Sequence, residues 1–332
     1  AGSLNTHSGD NRALTVTGDC NVTGTITMNA SAVTVGSLTI NDNGTCNATS
    51  GTLTINNETS GYAFRNLETD GTGFVHNNGE LQFTYGGVTI LDNDDSSRFY
   101  NLTINHNDLD LYFYGNVSCV SNLKIRDGDV LADHVSNEGT ITVDGNFDMG
   151  DVGSAGFNVI GAYRMTKAHS FGSVTIASGS TFGATSGTTT ITSRVTGDKS
   201  IENNGTFTHN KGTVLFNGAG DQLLQMAATG NLYNCTINKS DSDLAFYGNH
   251  TFENNLDVTL AADHTVRSNN ASETVTVYGN TYLTTGKFGD TTQWTGTNSW
   301  GMLTVNSGEF ILSTGTNNVT GIRNVGGTIS QS

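Results

Sequence analysis

Proline is absent from the 332 residues of this chain, although a typical usage of roughly 5% would supply about 16. Proline has no backbone N–H to give to a β-ladder, so its absence suits segments that pair on both sides. Basic residues are scarce as well, since 14 Lys and Arg stand against 30 Asp and Glu, for a net charge of -16. An acidic chain without a basic run repels phosphate backbones, which argues against a nucleic-acid partner.

Long apolar runs are also missing. No stretch approaches the roughly 18 apolar residues of a membrane-spanning helix, so we expect no membrane insertion. The first residues, AGSLNTHSGDN, have neither the basic nor the apolar part of a signal peptide, and the chain does not begin with Met. We therefore expect a processed or excised chain. Gly, Thr, Asn and Ser make up nearly half of the sequence, a composition that excludes long helices.

A repeat of about 133 residues organises the chain. The segment FYNLTINHNDLDLYFYGNVSCVSNL from Phe99 reappears as LYNCTINKSDSDLAFYGNHTFENNL from Leu232, and GFVHNNGELQF ending at Phe83 matches TFTHNKGTVLF ending at Phe216. The related segments GSLTIN, GSVTIA and GMLTVN mark where modules begin. They predict one continuous solenoid made of the end of a first module at 1–35, full modules at 36–171 and 172–300, and the start of another at 301–332.

Short alternation within each module predicts strands. Stretches such as TLTI, NLTIN and ELQF place apolar side chains on one face and polar ones on the other, between Gly, Asn, Asp or Ser turns. An immunoglobulin-like sandwich would also alternate, but it normally uses Pro in its turns, whereas a β-solenoid stacks equivalent strands of successive coils. We therefore predict an all-β fold, a parallel β-helix or β-solenoid. Its equivalent interior positions are predicted to be Phe83 and Phe216, Phe113 and Phe246, and Leu111 and Leu244.

The four cysteines all fall at apolar positions of the repeat. Their counterparts in related modules are Phe147 for Cys20, Phe182 for Cys46, Phe252 for Cys119 and Leu102 for Cys235. Free cysteine behaves as a small hydrophobe, so we predict four buried, reduced thiols. A bond between Cys20 and Cys46 is the alternative, because only this pair is close enough in sequence to lie on adjacent coils. Unpaired thiols favour maturation in a reducing cytoplasm.

A repeated D-x-D pattern offers a candidate calcium site. Asp108 and Asp110 match Asp241 and Asp243, and turn carboxylates can contribute to the about six to eight oxygens that calcium prefers. Aspartates that hydrogen-bond their own turn are the alternative that we favour. The histidines show no ligand spacing, and the pair His76 and His209 recurs with the turn around it. We therefore expect no resident metal.

Catalytic and cofactor motifs are not evident. The chain has no Gly-rich phosphate loop and no Cys-x-x-Cys pair, so no cofactor is expected. A catalytic cleft on a solenoid needs an asymmetric acidic cluster that breaks the repeat, whereas polar positions here mostly repeat or vary between turn formers. We predict a protein that is not an enzyme and has no catalytic residues. A solenoid glycan-processing enzyme remains a lower alternative.

The succession ALTVTGD, NASAVTVGSLTI, ATSGTLTI, NNGTFTHNKGTVLF and LYNCTIN resembles a Thr/Asn/Gly-rich repeat of predicted virion structural, tail or fibre proteins of marine bacteriophages. Similar arrays occur in bacterial surface proteins. The resemblance covers almost the whole chain. It implies a passive structural or receptor-facing role on the virion, as a head decoration, fibre or tail component, and brings no catalytic residues with it. The alternative is a bacterial cell-surface adhesin or extracellular filament subunit.

The array also indicates which partners to expect. The sequence begins and ends within a module, and an open solenoid end presents unpaired N–H and C=O groups that recruit another chain unless they are capped. We therefore expect the chain to join copies of itself, with a trimer of parallel rods as one form, or to join other virion or surface proteins.

Overall fold

Short strands with alternating side chains build the fold. A computed structural model describes residues 2–93, 96–131, 139–150, 166–193, 199–226, 230–290 and 294–331, without the side chains of residues 106–110 and 127–131. The chain divides into two units, one formed by Ala1–Lys167 with Ser178–Ser180 and the other by Ala168–Ala177 with Thr181–Ser332. The predicted module boundaries stay predictions.

The strands of the first unit are β1 Ser3–Asn5, β2 Leu14–Val22, β3 Thr25–Thr27, β4 Val33–Ile40, β5 Thr45–Asn47, β6 Thr52–Ile55, β7 Tyr62–Asn66, β8 Phe74–Val75, β9 Glu80–Phe83, β10 Gly87–Asn93, β11 Asn101–Tyr114, β12 Val117–Cys119, β13 Leu123–Leu131 and β14 Ile141–Met149.

The strands of the second unit are β15 His169–Ile176, β16 Thr181–Gly183, β17 Thr188–Ile191, β18 Ile201–Asn203, β19 Thr206–Thr208, β20 Thr213–Phe216, β21 Gln222–Gln225, β22 Asn234–Lys239, β23 Leu244–Tyr247, β24 His250–Phe252, β25 Leu256–Leu260, β26 Thr265–Ser268, β27 Val275–Thr285, β28 Lys287–Phe288, β29 Asn298–Val305, β30 Glu309–Leu312, β31 Asn317–Asn324 and β32 Thr328–Gln331.

Three stacks of parallel rungs form the first unit, and we call them faces 1, 2 and 3. Face 1 stacks rungs 33–35, 53–55, 81–83, 102–104 and 123–125. Face 2 stacks rungs 38–40, 64–66 and 91–93. Face 3 stacks rung 25–27 on 45–47, and rung 117–119 on 141–143. Parallel stacking of successive coils is the β-solenoid arrangement that the sequence predicts, not a sandwich of antiparallel sheets.

The second unit has the same three faces. Its face 1 stacks rungs 189–191, 214–216, 235–237, 256–258 and 281–283. Its face 2 carries a column of equivalent residues, which are Leu244, Val266, Phe288, Phe310 and Ile329. Its face 3 stacks rung 250–252 on 275–277. Within the described ranges there is no helix of either the length or the apolar character needed to cross a membrane.

The predicted interior positions are confirmed. All six of them are at most 1% exposed, namely Phe83, Phe216, Phe113, Phe246, Leu111 and Leu244. In face 1 the period of two explains this burial, because Leu53 and Ile55 point inward while Thr52 and Thr54 lie at the surface. Aromatic rings from different rungs fill the centre, as when Phe288 stacks on Phe310 with ring centroids 4.9 Å apart.

Asparagine ladders support the corner where face 3 turns into face 1. In the first unit, Asn101 Oδ1 accepts a hydrogen bond from the backbone N–H of Asn122 at 3.1 Å, and Asn122 Oδ1 accepts one from Asn146 at 3.0 Å. The second unit repeats the ladder with Asn234, Asn255 and Asn280. Each amide satisfies a backbone donor that the turn withdraws from the β-ladder, which explains part of the high asparagine content.

The cysteines are free, as predicted, but not all of them are buried. Cys46, Cys119 and Cys235 are buried, whereas Cys20 is half-buried, so the prediction of four buried thiols is wrong for Cys20. The reason is that Cys20 lines an open groove together with Leu4 and Ile26. The alternative bond between Cys20 and Cys46 is not formed.

Thiol labelling near pH 8 is expected to modify Cys20 first in the native protein and all four cysteines after denaturation. Burial raises the pKa of the Cys46, Cys119 and Cys235 thiols, that of Cys119 to about 12, so few reactive thiolates form there. Colorimetric thiol counting measures both stages, with Cys20→Ser as the control that removes the early phase. Fast labelling of more than one thiol in the folded protein would contradict this expectation.

Candidate functional site

The candidate site in the first unit includes a repeated turn, residues 76–79, at the corner between faces 3 and 1. Asn77 and Asn78 adopt left-handed φ angles of 46° and 61°. The N–H of Asn78 donates to Nδ1 of His76 at 2.9 Å, and Nδ2 of Asn77 donates to the carbonyl oxygen of Ala48 at 2.7 Å. Asparagine tolerates this backbone region better than most residues, so the local sequence suits the turn.

The second unit builds the same turn from different residues. Asn210 and Lys211 have φ angles of 47° and 62°. The N–H of Lys211 donates to Nδ1 of His209 at 2.9 Å, and Nδ2 of Asn210 donates to the carbonyl oxygen of Ala184 at 2.8 Å. Because Nδ1 accepts in both turns, the neutral imidazole carries its proton on Nε2, which points away from the turn.

Glycine closes both turns because the previous coil leaves no room for a side chain. A Cβ on Gly79 would lie 2.0 Å from the carbonyl oxygen of Thr49, and one on Gly212 would lie 2.1 Å from that of Thr185. The repeated pattern of histidine, two turn residues and glycine is therefore accounted for by local geometry.

Each histidine ring packs against a tyrosine of the next coil. The centroids of His76 and Tyr100 are 5.5 Å apart with planes 31° apart, and those of His209 and Tyr233 are 5.4 Å apart with planes 29° apart. All four side chains are half-buried. Each His–Tyr pair belongs to a strip of surface residues. The other residues of the two strips differ between the units.

Strip 1, in the first unit, consists of His76, Tyr100, Arg98, Ser118 and Asp144, and an ion pair crosses it. Arg98 Nη2 lies 2.7 Å from Asp144 Oδ2, and Arg98 Nε donates to Ser118 Oγ at 2.7 Å. Burial, helped by the nearby Arg98 charge, lowers the pKa of His76. Strip 1 is thus a charged surface whose guanidinium and carboxylate engage each other.

Strip 2, in the second unit, consists of His209, Tyr233, Asn231, Glu253 and Tyr278. It has no counterpart of the Arg98–Asp144 pair, since the repeat places Asn231 where strip 1 has Arg98 and Tyr278 where it has Asp144, and its carboxylate is that of Glu253. Glu253 accepts from Nδ2 of Asn231 at 3.1 Å, and its other oxygen lies 3.1 Å from Nε2 of His209. Tyr278 is 70% exposed. A groove of about 440 Å³ continues the strip, lined by Val277, Tyr278, Ser299, Trp300, Gly301, Asn317, Asn318, Val319 and Thr320.

The aspartates of the D-x-D pattern lie elsewhere. Asp108 and Asp110 are in β11, and their side chains lie outside the described part of the structure. In the second unit, Asp241 is exposed, while Asp243 Oδ1 accepts a hydrogen bond from the Thr265 N–H at 2.9 Å. Across the residues that the structure describes, no three or more His, Cys, Asp or Glu side chains gather where they could hold a metal ion.

Lys239 is a buried cation that the sequence analysis missed. It is 2% exposed, and its Nζ donates to the carbonyl oxygens of Gly218 at 2.6 Å and Gly220 at 3.0 Å, and to Oε1 of Gln222 at 3.0 Å. Burial lowers the pKa of Lys239 to about 8, and nearby aspartates, Asp241 first, oppose that shift. The signal was present, because the period of two that buries Cys235 and Ile237 also points residue 239 inward.

His250 is a second buried ionisable group that was missed. It is 2% exposed, its ring lies 4.8 Å from that of Phe246, and burial lowers its pKa to about 4. The repeat carried the signal here as well, because the equivalent residue of the preceding module is Val117, an interior position.

Comparison of the chain with protein-family models, curated proteins and solved structures finds no match. Function is therefore inferred from the residues of this chain.

Proposed function

We propose that the protein is a non-catalytic structural component of a phage virion, a head decoration, fibre or tail element that forms a solvated β-solenoid shaft. The observation that carries this proposal is the rung-by-rung stacking of equivalent strand positions, which turns each face into an ordered column. Such a stack joins neighbouring coils through backbone hydrogen bonds, so each coil supports the next.

The outward columns suit a shaft in water. On face 1 of the first unit, a polar column runs through successive rungs with Thr34, Thr54, Gln82, Thr103 and Lys124, and all of these except Thr103 are partly exposed. The net charge of -16 adds repulsion between molecules, which limits nonspecific adhesion. A surface of this kind favours a component that extends into solvent while assembling through defined contacts.

The virion proposal is tested by fractionating particles from the source sample on a density gradient. We expect antibodies raised against the full chain to detect it in fractions that contain DNA-filled particles, and immunogold labelling to place it on their surface. Recovery only with bacterial envelopes would overturn the proposal.

Self-association is part of the same proposal, with a parallel trimer as one form. Light scattering of the purified chain is expected to give the mass of an oligomer, which is two or more times the monomer mass of 34.9 kDa. A monomer at all accessible concentrations, with no binding to other virion proteins, would contradict it.

A bacterial surface adhesin or filament subunit is the second candidate, favoured by exposed Asn-x-Ser/Thr sequons. The amide side chains of Asn21, Asn116 and Asn318 are exposed. An exported protein could be glycosylated at these sites, whereas a virion protein folded in the host cytoplasm would stay unmodified. The intact mass of native material separates the two, since added hexose masses favour the adhesin.

A further inference from the structure

Strip 2 has lost the ion pair that crosses strip 1 and has gained an exposed ring in its place. In strip 1 the Arg98 guanidinium reaches Asp144 at 2.7 Å. In strip 2 the amide of Asn231 binds Glu253, and the Tyr278 ring stands 70% exposed at the equivalent of Asp144. The repeat therefore supplies a matched pair of surfaces. Strip 1 is crossed by an Arg–Asp ion pair, whereas strip 2 carries an exposed tyrosine, an amide and the Glu253 carboxylate.

Beyond Tyr278 the strip becomes a groove because the next residue of the column is glycine. Strand pairing places Val277 beside Trp300 and, after a register shift, Asn280 beside Met302, so Tyr278 and Gly279 together lie opposite Gly301. On the next coil Gly301 is followed by Thr320, between the pairs Trp300–Val319 and Met302–Gly321. A Cβ on Gly301 would lie 2.0 Å from the carbonyl oxygen of Gly279, so the coil spacing itself keeps this position small. The floor beside the tyrosine ring is thereby left open.

A second column of small polar side chains runs beside the first. Thr251, Thr276, Ser299 and Asn318 occupy equivalent outward positions on face 3. Hydroxyl and amide groups both donate and accept hydrogen bonds, and the groove lining contains no Lys, Arg, Asp or Glu. Coils about 4.8 Å apart repeat these groups at a regular interval along the stacking direction.

We propose that strip 2 binds a neutral polysaccharide chain, with the Tyr278 ring packed against a sugar face and the Thr, Ser and Asn column bonded to sugar hydroxyls. An aromatic face beside bifunctional polar groups matches a ligand that has C–H faces and many hydroxyls. Regular spacing favours a polymer over a single small molecule. A nucleic acid is disfavoured because the groove lining offers no Lys or Arg to its phosphates.

Affinity electrophoresis of the full chain tests this proposal, with laminarin, yeast mannan or soluble starch cast into native gels. We expect at least one of these neutral polysaccharides to retard the wild-type protein. Tyr278→Ala should raise the dissociation constant at least tenfold. Tyr282→Ala is the matched control, because Tyr282 is a second exposed tyrosine, at 36%, and lies on face 1. It should bind as the wild type does.

A double variant asks whether the charged arrangement of strip 1 blocks binding. Asn231→Arg combined with Tyr278→Asp introduces the residues that strip 1 carries at these surface positions, so the fold should be retained and the melting temperature little changed. Retardation should disappear. No retardation of the wild type in any of the three gels, retardation only by the acidic polysaccharide alginate, or equal losses in Tyr278→Ala and Tyr282→Ala would overturn the proposal.

Binding goes beyond the structural role, and the two can fail separately. Retardation by a neutral polysaccharide together with absence from virions would leave the binding site standing and remove the virion role. Shortening of the retarding polysaccharide during incubation would remove the non-catalytic assignment while still supporting a glycan-binding strip.

Discussion

Lys239→Met is expected to lower the free energy of unfolding by about 3 kcal/mol near pH 7, at which the lysine is still protonated. Methionine fills similar space, but it has no N–H to give to the carbonyl oxygens of Gly218 and Gly220 or to Oε1 of Gln222, which Lys239 Nζ meets at 2.6–3.0 Å. Buried acceptors that lose a charged donor lose more than a surface ion pair is worth.

Urea unfolding followed by circular dichroism measures this effect. Lys287→Met is the matched control, because Lys287 is exposed on β28 and its loss should change the free energy of unfolding by less than about 0.5 kcal/mol. Equal effects of the two substitutions would show that the oxygen cage around Lys239 contributes nothing specific to stability.

The parallel solenoid could be predicted because two independent patterns agree on it. The repeat identifies equivalent positions, and the period of two says which of them point inward, so Phe83 and Phe216 were placed correctly in the core. Both patterns can be read from the sequence without knowing which coils pair.

The functional strip could not be predicted in the same way. That Tyr278 lies beside Gly301 and Thr320 depends on the register between coils, and this pairing shifts between Val277 and Asn280. Turn lengths differ from coil to coil, so sequence spacing does not give the register. Lys239 and His250 lie at inward positions although ionisable side chains usually face solvent, so residue type and strand alternation point in opposite directions there.

The stability of the wild-type protein is expected to fall by about 3 kcal/mol more than that of His250→Val as the pH is lowered from 7 to 4. Burial lowers the pKa of His250 from 6.5 to about 4. Between these two values the unfolded chain binds a proton that the folded chain excludes. This contribution is therefore intact above about pH 6.5 and is lost progressively below it.

The equivalent interior residue of the preceding module is Val117. His250→Val should therefore change the free energy of unfolding little near neutral pH. Urea unfolding near pH 7 and near pH 4 gives the free energy of unfolding of each protein at the two pH values.

His7→Asn is the control. It removes an exposed histidine with a φ of 68°, which asparagine tolerates, and keeps the acid response of all the carboxylates. His250→Val should flatten the dependence on pH while His7→Asn behaves as the wild type does, because only the first substitution removes a proton site that folding takes out of water. Parallel pH profiles for all three proteins would mean that the folded chain accommodates a charged His250.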